Sequence, residues 1–85
     1  MTSGVIAMHT KIVSVKSCDD YADEIIIELG NRNVIILTLK SKLHEPLFAE
    51  IVKERFQPKT DGVRIKWQNG SSLTLEEITE MLRSS

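Results

Sequence analysis

DEIIIELGNRNVIILTLK, Asp23 to Lys40, is the stretch that decides the fold. Ile25-Ile26-Ile27 and Val34-Ile35-Ile36 are β-branched runs of strand length, and they flank Gly30-Asn31-Arg32-Asn33. Stiff branched side chains favour the extended backbone, while Gly and Asn accept positive φ at little steric cost. The pattern predicts a β-hairpin. With Gly30–Asn33 reversing the chain as a two- or four-residue loop, Leu29 faces Val34, Ile27 faces Ile36 and Ile25 faces Thr38, which defines one apolar face. The opposite face then carries Glu24 and Glu28 but also Ile26, Ile35, Leu37 and Leu39, which is too apolar to be left in water. Those four residues form the candidate interface. Its cover is either the second helix of the same chain or a second copy of the protein.

Working outward, Lys11–Lys16 alternates, with Val13 and Val15 on one face, and reads as a strand that joins the hairpin in an antiparallel meander. Cys18 to Ala22 connects the two. After the hairpin, LHEPLFAEIVKERF places Leu47, Phe48, Ile51, Val52 and Phe56 at helical spacing, with Pro46 suited to the first turn and Glu45 at the positive end of the dipole. Gln57–Gly62 reads as a loop. VRIKWQ then alternates, with Val63, Ile65 and Trp67 inward, and Asn69-Gly70 turns the chain. A three-residue loop Gln68-Asn69-Gly70 with Gly70 left-handed puts Ile65 opposite Leu73. Thr74 and Glu77 make a capping box, and Leu73 with Ile78 a hydrophobic staple, at the start of a short closing helix. The fold class expected is therefore α+β: a small antiparallel β-meander, one amphipathic helix, a second short β-hairpin and a short C-terminal helix. A single domain is expected over 11–85, with 1–10 a flexible N-terminal segment and Met8 an alternative start to Met1.

The chain has 85 residues, of which 41% are hydrophobic and 27% charged, values of the globular class. Eleven basic against twelve acidic residues leave a net charge of −1, which supplies no attraction to phosphate backbones or anionic membranes. Direct nucleic-acid binding is thus not expected. The beginning of the chain lacks the basic and long apolar segments of a secretory signal, no run approaches the length needed to span a bilayer, and the lone Cys18 cannot form an internal disulfide. A cytoplasmic protein is expected.

The order of GVRIKWQNGSSLTLEEITEML after a hydrophobic hairpin and PLFAEIVKERF resembles the small bacterial family known as domain of unknown function 2442. The residues that carry the resemblance are Gly30, Pro46-Leu47-Phe48, Phe56, Asp61-Gly62, Trp67, Asn69-Gly70, Leu73 and Ile78, over about Ile12 to the C-terminus. Val34-Ile35-Ile36-Leu37 departs from it, being more apolar than the polar strand expected there. The resemblance implies an α+β fold in a bacterial cytoplasm, and a binding or regulatory role: accessory partner of another small protein in a toxin–antitoxin-like arrangement, or the sensory part of a regulator. It brings no catalytic residues.

Chemistry-bearing residues are few. His9 and His44 lack neighbours at metal-ligand spacing, a Cys18–His44 dyad lacks an orienting third group, and Arg64 with Lys66 reads as a solvated strand face. Glu76 and Glu77 are explained by the helix N-terminus. No metal, cofactor or catalytic residues are expected. Two functions of different class stand: a non-catalytic interaction module, homodimeric or paired with another small protein, and a small-molecule sensor or minor enzyme whose candidate pocket involves Trp67 and Tyr21.

Overall fold

Residues 10–84 are described in the computed structural model of the chain; the expectation of a flexible N-terminal segment falls almost wholly outside them, as does His9. In order they form β1 (Ile12–Ser17), β2 (Glu24–Leu29), β3 (Val34–Thr38), a 3-10 turn (Lys40–Lys42), α1 (Pro46–Glu54), β4 (Lys59–Thr60), β5 (Arg64–Lys66), β6 (Ser72–Thr74) and α2 (Leu75–Ser84). Two antiparallel three-stranded sheets, β1-β2-β3 and β4-β5-β6, make the architecture α+β. The expected second hairpin gains a strand, because Lys59 and Thr60, read as loop, pair with Lys66 and Ile65. Buried Pro58 precedes that strand, a position where a missing N–H costs no ladder bond. The two sheets are tied edge to edge where the Ile12 N–H donates to the Gly62 carbonyl at 2.9 Å.

The register of β2 with β3 is one residue off the expected one: Glu28 faces Val34, Ile27 faces Ile35, Ile26 faces Ile36 and Ile25 faces Leu37. The cause is the turn. The Leu29 N–H donates to the Asn33 carbonyl (2.9 Å), and the Arg32 N–H closes back on the Leu29 carbonyl (3.0 Å), so the loop is the three residues Gly30-Asn31-Arg32 rather than two or four. Arg32, with φ +71°, takes the left-handed position that ends such a loop. Because side chains alternate with period two, a one-residue change exchanges the faces of β3. Ile35, Leu37 and Leu39 now join Ile25, Ile27 and Leu29 inside, at 6, 2 and 0% exposure. They belong to the single core cluster that also includes Phe48, Ile51, Ile65, Trp67, Leu73 and Ile78 from the second half of the chain.

β1 carries a second departure. Ile12 faces Leu29 and Ser14 faces Glu28, so Val13 is one residue more than β2 has opposite it, a β-bulge. The expected Val13/Val15 face is thereby replaced: Ile12 is buried and Val15 packs against the core, while Val13 is 58% exposed.

The helices start where expected. Pro46 occupies the first turn of α1. The helix stops at Arg55, which is left-handed (φ +56°), and the Phe56 N–H returns to the Ile51 carbonyl at 3.1 Å. Phe56 thus reaches the core from outside the helix, and Leu47, expected on the buried stripe, is half exposed. At α2 the capping box is complete: the Glu77 N–H donates to Thr74 Oγ1 (3.1 Å) and the Thr74 N–H to Glu77 Oε1 (2.9 Å). Thr74→Ala removes the first of these acceptors and is expected to lower stability by about 1 kcal/mol. Denaturant midpoints at unchanged slope check it, and identical midpoints would refute the cap's contribution.

Candidate functional site

The outer face of the meander is what the register leaves to solvent. Ser14 and Lys16 come from β1, Glu24, Ile26 and Glu28 from β2, and Val34, Ile36 and Thr38 from β3. Val34 and Ile36 are 60 and 63% exposed, and Ile26, which faces Ile36 from the middle strand, is half-buried. Among its polar groups the Ser14 hydroxyl donates to Glu28 Oε1 at 3.2 Å.

β3 is an edge strand. Its hydrogen-bonding direction follows from the bonds that flank it, Leu29 N–H to Asn33 carbonyl and Leu39 N–H to Asp23 carbonyl. Alternation along an antiparallel ladder then turns the N–H and C=O groups of Ile35 and Leu37 toward β2 and those of Val34 and Ile36 away from it. Unpaired backbone groups of this kind are a template for another strand. The opposite edge, β1, is the one that meets the second sheet through Ile12 and Gly62.

Of the candidate interface residues, only Ile26 lies on this face. Ile35, Leu37 and Leu39 are core, and the correction has one cause, a loop of three residues where two or four were expected. Val34 and Ile36 were missed for the same reason. A signal was present: only an odd-length loop brings Ile25, Ile27, Leu29, Ile35, Leu37 and Leu39 onto one side, which maximises the apolar area removed from water.

Trp67 and Tyr21 are not brought together as a pocket wall. Trp67 is 4% exposed, with its ring edge-on to Phe48 at 5.7 Å between centroids, whereas Tyr21 sits exposed in the β1–β2 connection. Val63, expected inward beside Trp67, is exposed, since it belongs to the turn capped by Asp61 rather than to β5. A depression of about 190 Å³ near Trp67 is lined by Arg64, Lys66, Trp67, Gly70, Ser71 and Ser72. That is below the roughly 300 Å³ at which small-molecule pockets begin. The Trp67 indole N–H and the Ser71 hydroxyl are fully buried without a hydrogen-bond partner. Both residues alternate with Arg64, Lys66 and Ser72 and so face the core, on the other side of the sheet from those polar groups.

The turn before β5 has its own electrostatics. Asp61 Oδ1 accepts the N–H groups of Val63 (3.0 Å) and Arg64 (3.1 Å), and Oδ2 lies 3.2 Å from Lys66 Nζ. The Val63 N–H first, and the Lys66 ammonium after it, hold the carboxyl down to about 2. A folded-state value below the unfolded one means that this contribution to stability is present above the unfolded pKa and lost as pH falls toward the folded one. A carboxyl resonance of Asp61 with a midpoint near 2 in an NMR titration is expected. A midpoint in the ordinary Asp range, near 3.9, would show the turn to be open in solution. Asp61→Asn keeps an acceptor for the two N–H groups and should flatten the acid limb of the stability profile.

His44 is exposed, 3.8 Å from Glu45 Oε2, and Cys18 is a free thiol in the β1–β2 connection. Among the described residues no group of three His, Cys, Asp or Glu side chains could hold a metal ion, and no helix is long and apolar enough to cross a membrane. No family model, curated protein or solved structure matches the chain.

Proposed function

We propose that this protein is a non-catalytic interaction module, the accessory partner of another small protein in a regulatory or toxin–antitoxin-like pair. The observation that carries the proposal is the edge strand β3, whose outward side chains Val34 and Ile36 are exposed and continue into Ile26 on the neighbouring strand. Apolar side chains beside unpaired ladder groups offer a partner both burial and backbone hydrogen bonds. The regulatory setting rests on the resemblance to the domain 2442 family. A cytoplasmic location belongs to the same reading.

The reading of a sensor or minor enzyme with its pocket near Trp67 is favoured by the two buried unpaired donors on Trp67 and Ser71. They lie on the core side of the sheet, and the nearby depression is small, so the interaction module is preferred. Co-expression with the products of neighbouring genes, followed by size exclusion, tests it. A complex formed by the natural protein and lost for Ile36→Lys is expected. A complex indifferent to Ile36→Lys, or a ligand that binds beside Trp67 and is turned over, would overturn the proposal.

A further inference from the structure

We propose that the free edge of β3 receives an extended segment of a different protein, acidic at both ends with β-branched residues between, which adds a fourth strand to the meander. The inference deepens the interaction reading above and rests on it.

Three observations converge. The backbone groups of Val34 and Ile36 point off the sheet, and among the described residues no strand pairs with them. No proline, bulge or charged residue interrupts Val34–Thr38, so the devices by which edges are blunted are missing from the strand itself. Charges stand only at its ends: Arg32 in the turn before it and Lys40 just after it, both exposed. Neither side chain takes part in an ion pair among the described residues. A strand laid along this edge runs past five residues, about 17 Å, before its own flanks come opposite these two cations. Acidic residues at both flanks come within reach of these long cationic side chains, one in the turn and one in the 3-10 turn, and β-branched side chains between them pack on Val34 and Ile36. Glu24 and Glu28 stand one strand further in, about 10 Å from the added backbone, a distance at which physiological salt screens their repulsion.

The same geometry disfavours a second copy of this chain. In the antiparallel pairing that uses Val34, Ile36 and Thr38 together, Ile36 would face its own equivalent and Val34 would face Thr38. Arg32 would then face Lys40 at each end, two like-charge pairs in place of two attractive ones. A symmetric β3–β3 dimer therefore concentrates four cations where the acidic segment neutralises two.

The test uses the full chain and two fluorescent nonapeptides, Asp-Glu-Thr-Val-Thr-Val-Thr-Glu-Asp and its counterpart with lysine at the four acidic positions. The acidic peptide is expected to bind about tenfold more tightly at physiological ionic strength, a gap that narrows as more salt is added. Charge reversal by Arg32→Asp with Lys40→Glu should invert the preference. Ile36→Pro removes an N–H that the chain's own ladder does not use, and should weaken the acidic peptide about tenfold with the circular dichroism unchanged. If that variant fails to fold, the charge-reversed variant decides alone. Equal binding of the two peptides, or none at millimolar protein, would overturn the proposal. Sedimentation showing a dimer that Ile36→Pro dissolves would assign the edge to a second copy and overturn it as well. A neighbour-gene complex lost with Ile36→Lys but untouched by the charge reversal would keep the interaction module and discard only the acidic segment.

Discussion

Trp67→Ala is expected to destabilise the protein by about 3–5 kcal/mol, close to the whole stability of a domain this size. The indole is 4% exposed, meets Phe48 edge to face, and lies in the core where the second sheet meets α1. Truncation removes the transfer energy of the largest side chain and leaves a cavity. Asn69 Nδ2 ties the next turn to α1 by donating to the Leu47 carbonyl and Glu50 Oε1, each at 2.9 Å, which limits collapse into that cavity. Trp67→Phe should cost much less, since it keeps a ring against Phe48 and removes an indole N–H that has no partner. Urea unfolding of both variants checks the pair. A Trp67→Ala protein that stays folded with an unchanged midpoint would show that the ring is not core.

The second large effect separates two adjacent residues. Leu37→Ala is expected to cost about 2–5 kcal/mol and Ile36→Ala no more than about 0.5 kcal/mol, because Leu37 is 2% exposed and Ile36 63% exposed. The comparison is a direct assay of register. Pairing of Ile27 with Ile36 would reverse the order, with the larger loss at position 36. Thermal or denaturant midpoints of the two variants settle it, and equal losses would contradict the observed pairing.

The two hairpins show why one half of the molecule was legible in sequence and the other was misaligned. Both close with the same three-residue loop: Trp67 N–H to Ser71 carbonyl and Gly70 N–H to Trp67 carbonyl in the second repeat the bonds of Leu29, Asn33 and Arg32 in the first. In the second hairpin the left-handed position is filled by Gly70 (φ +91°), so composition named the loop and Ile65 falls opposite Leu73 as expected. In the first it is filled by Arg32, while the residues that advertise positive φ, Gly30 and Asn31, lie before it. Local chemistry therefore pointed one residue wrong. Tertiary burial decided instead, by collecting six large aliphatic side chains on one side. The capping box at Thr74 was readable because its reach is three residues. The bulge in β1 and the short β4 were not, because each exists only against a strand distant in sequence. The candidate interface inherited the register: one of its four residues, Ile26, lies on the face that solvent reaches, and Val34 and Ile36 replace the rest.

The bulge at Val13 also makes the chain unequally tolerant of changes in length. Because Val13 is the residue without a counterpart on β2, its deletion would leave Ile12 facing Leu29 and Ser14 facing Glu28 in an unbroken ladder, with Ile12 and Val15 still inward. Removal of any one residue from within β2 would instead send Ile25, Ile27 or Leu29 to the opposite side of the sheet. Natural variants that gain or lose a residue in the meander should therefore cluster at the start of β1, with β2 constant in length. A deletion scan of β1 and β2 scored by soluble yield would show the same profile, with a permitted gap at position 13.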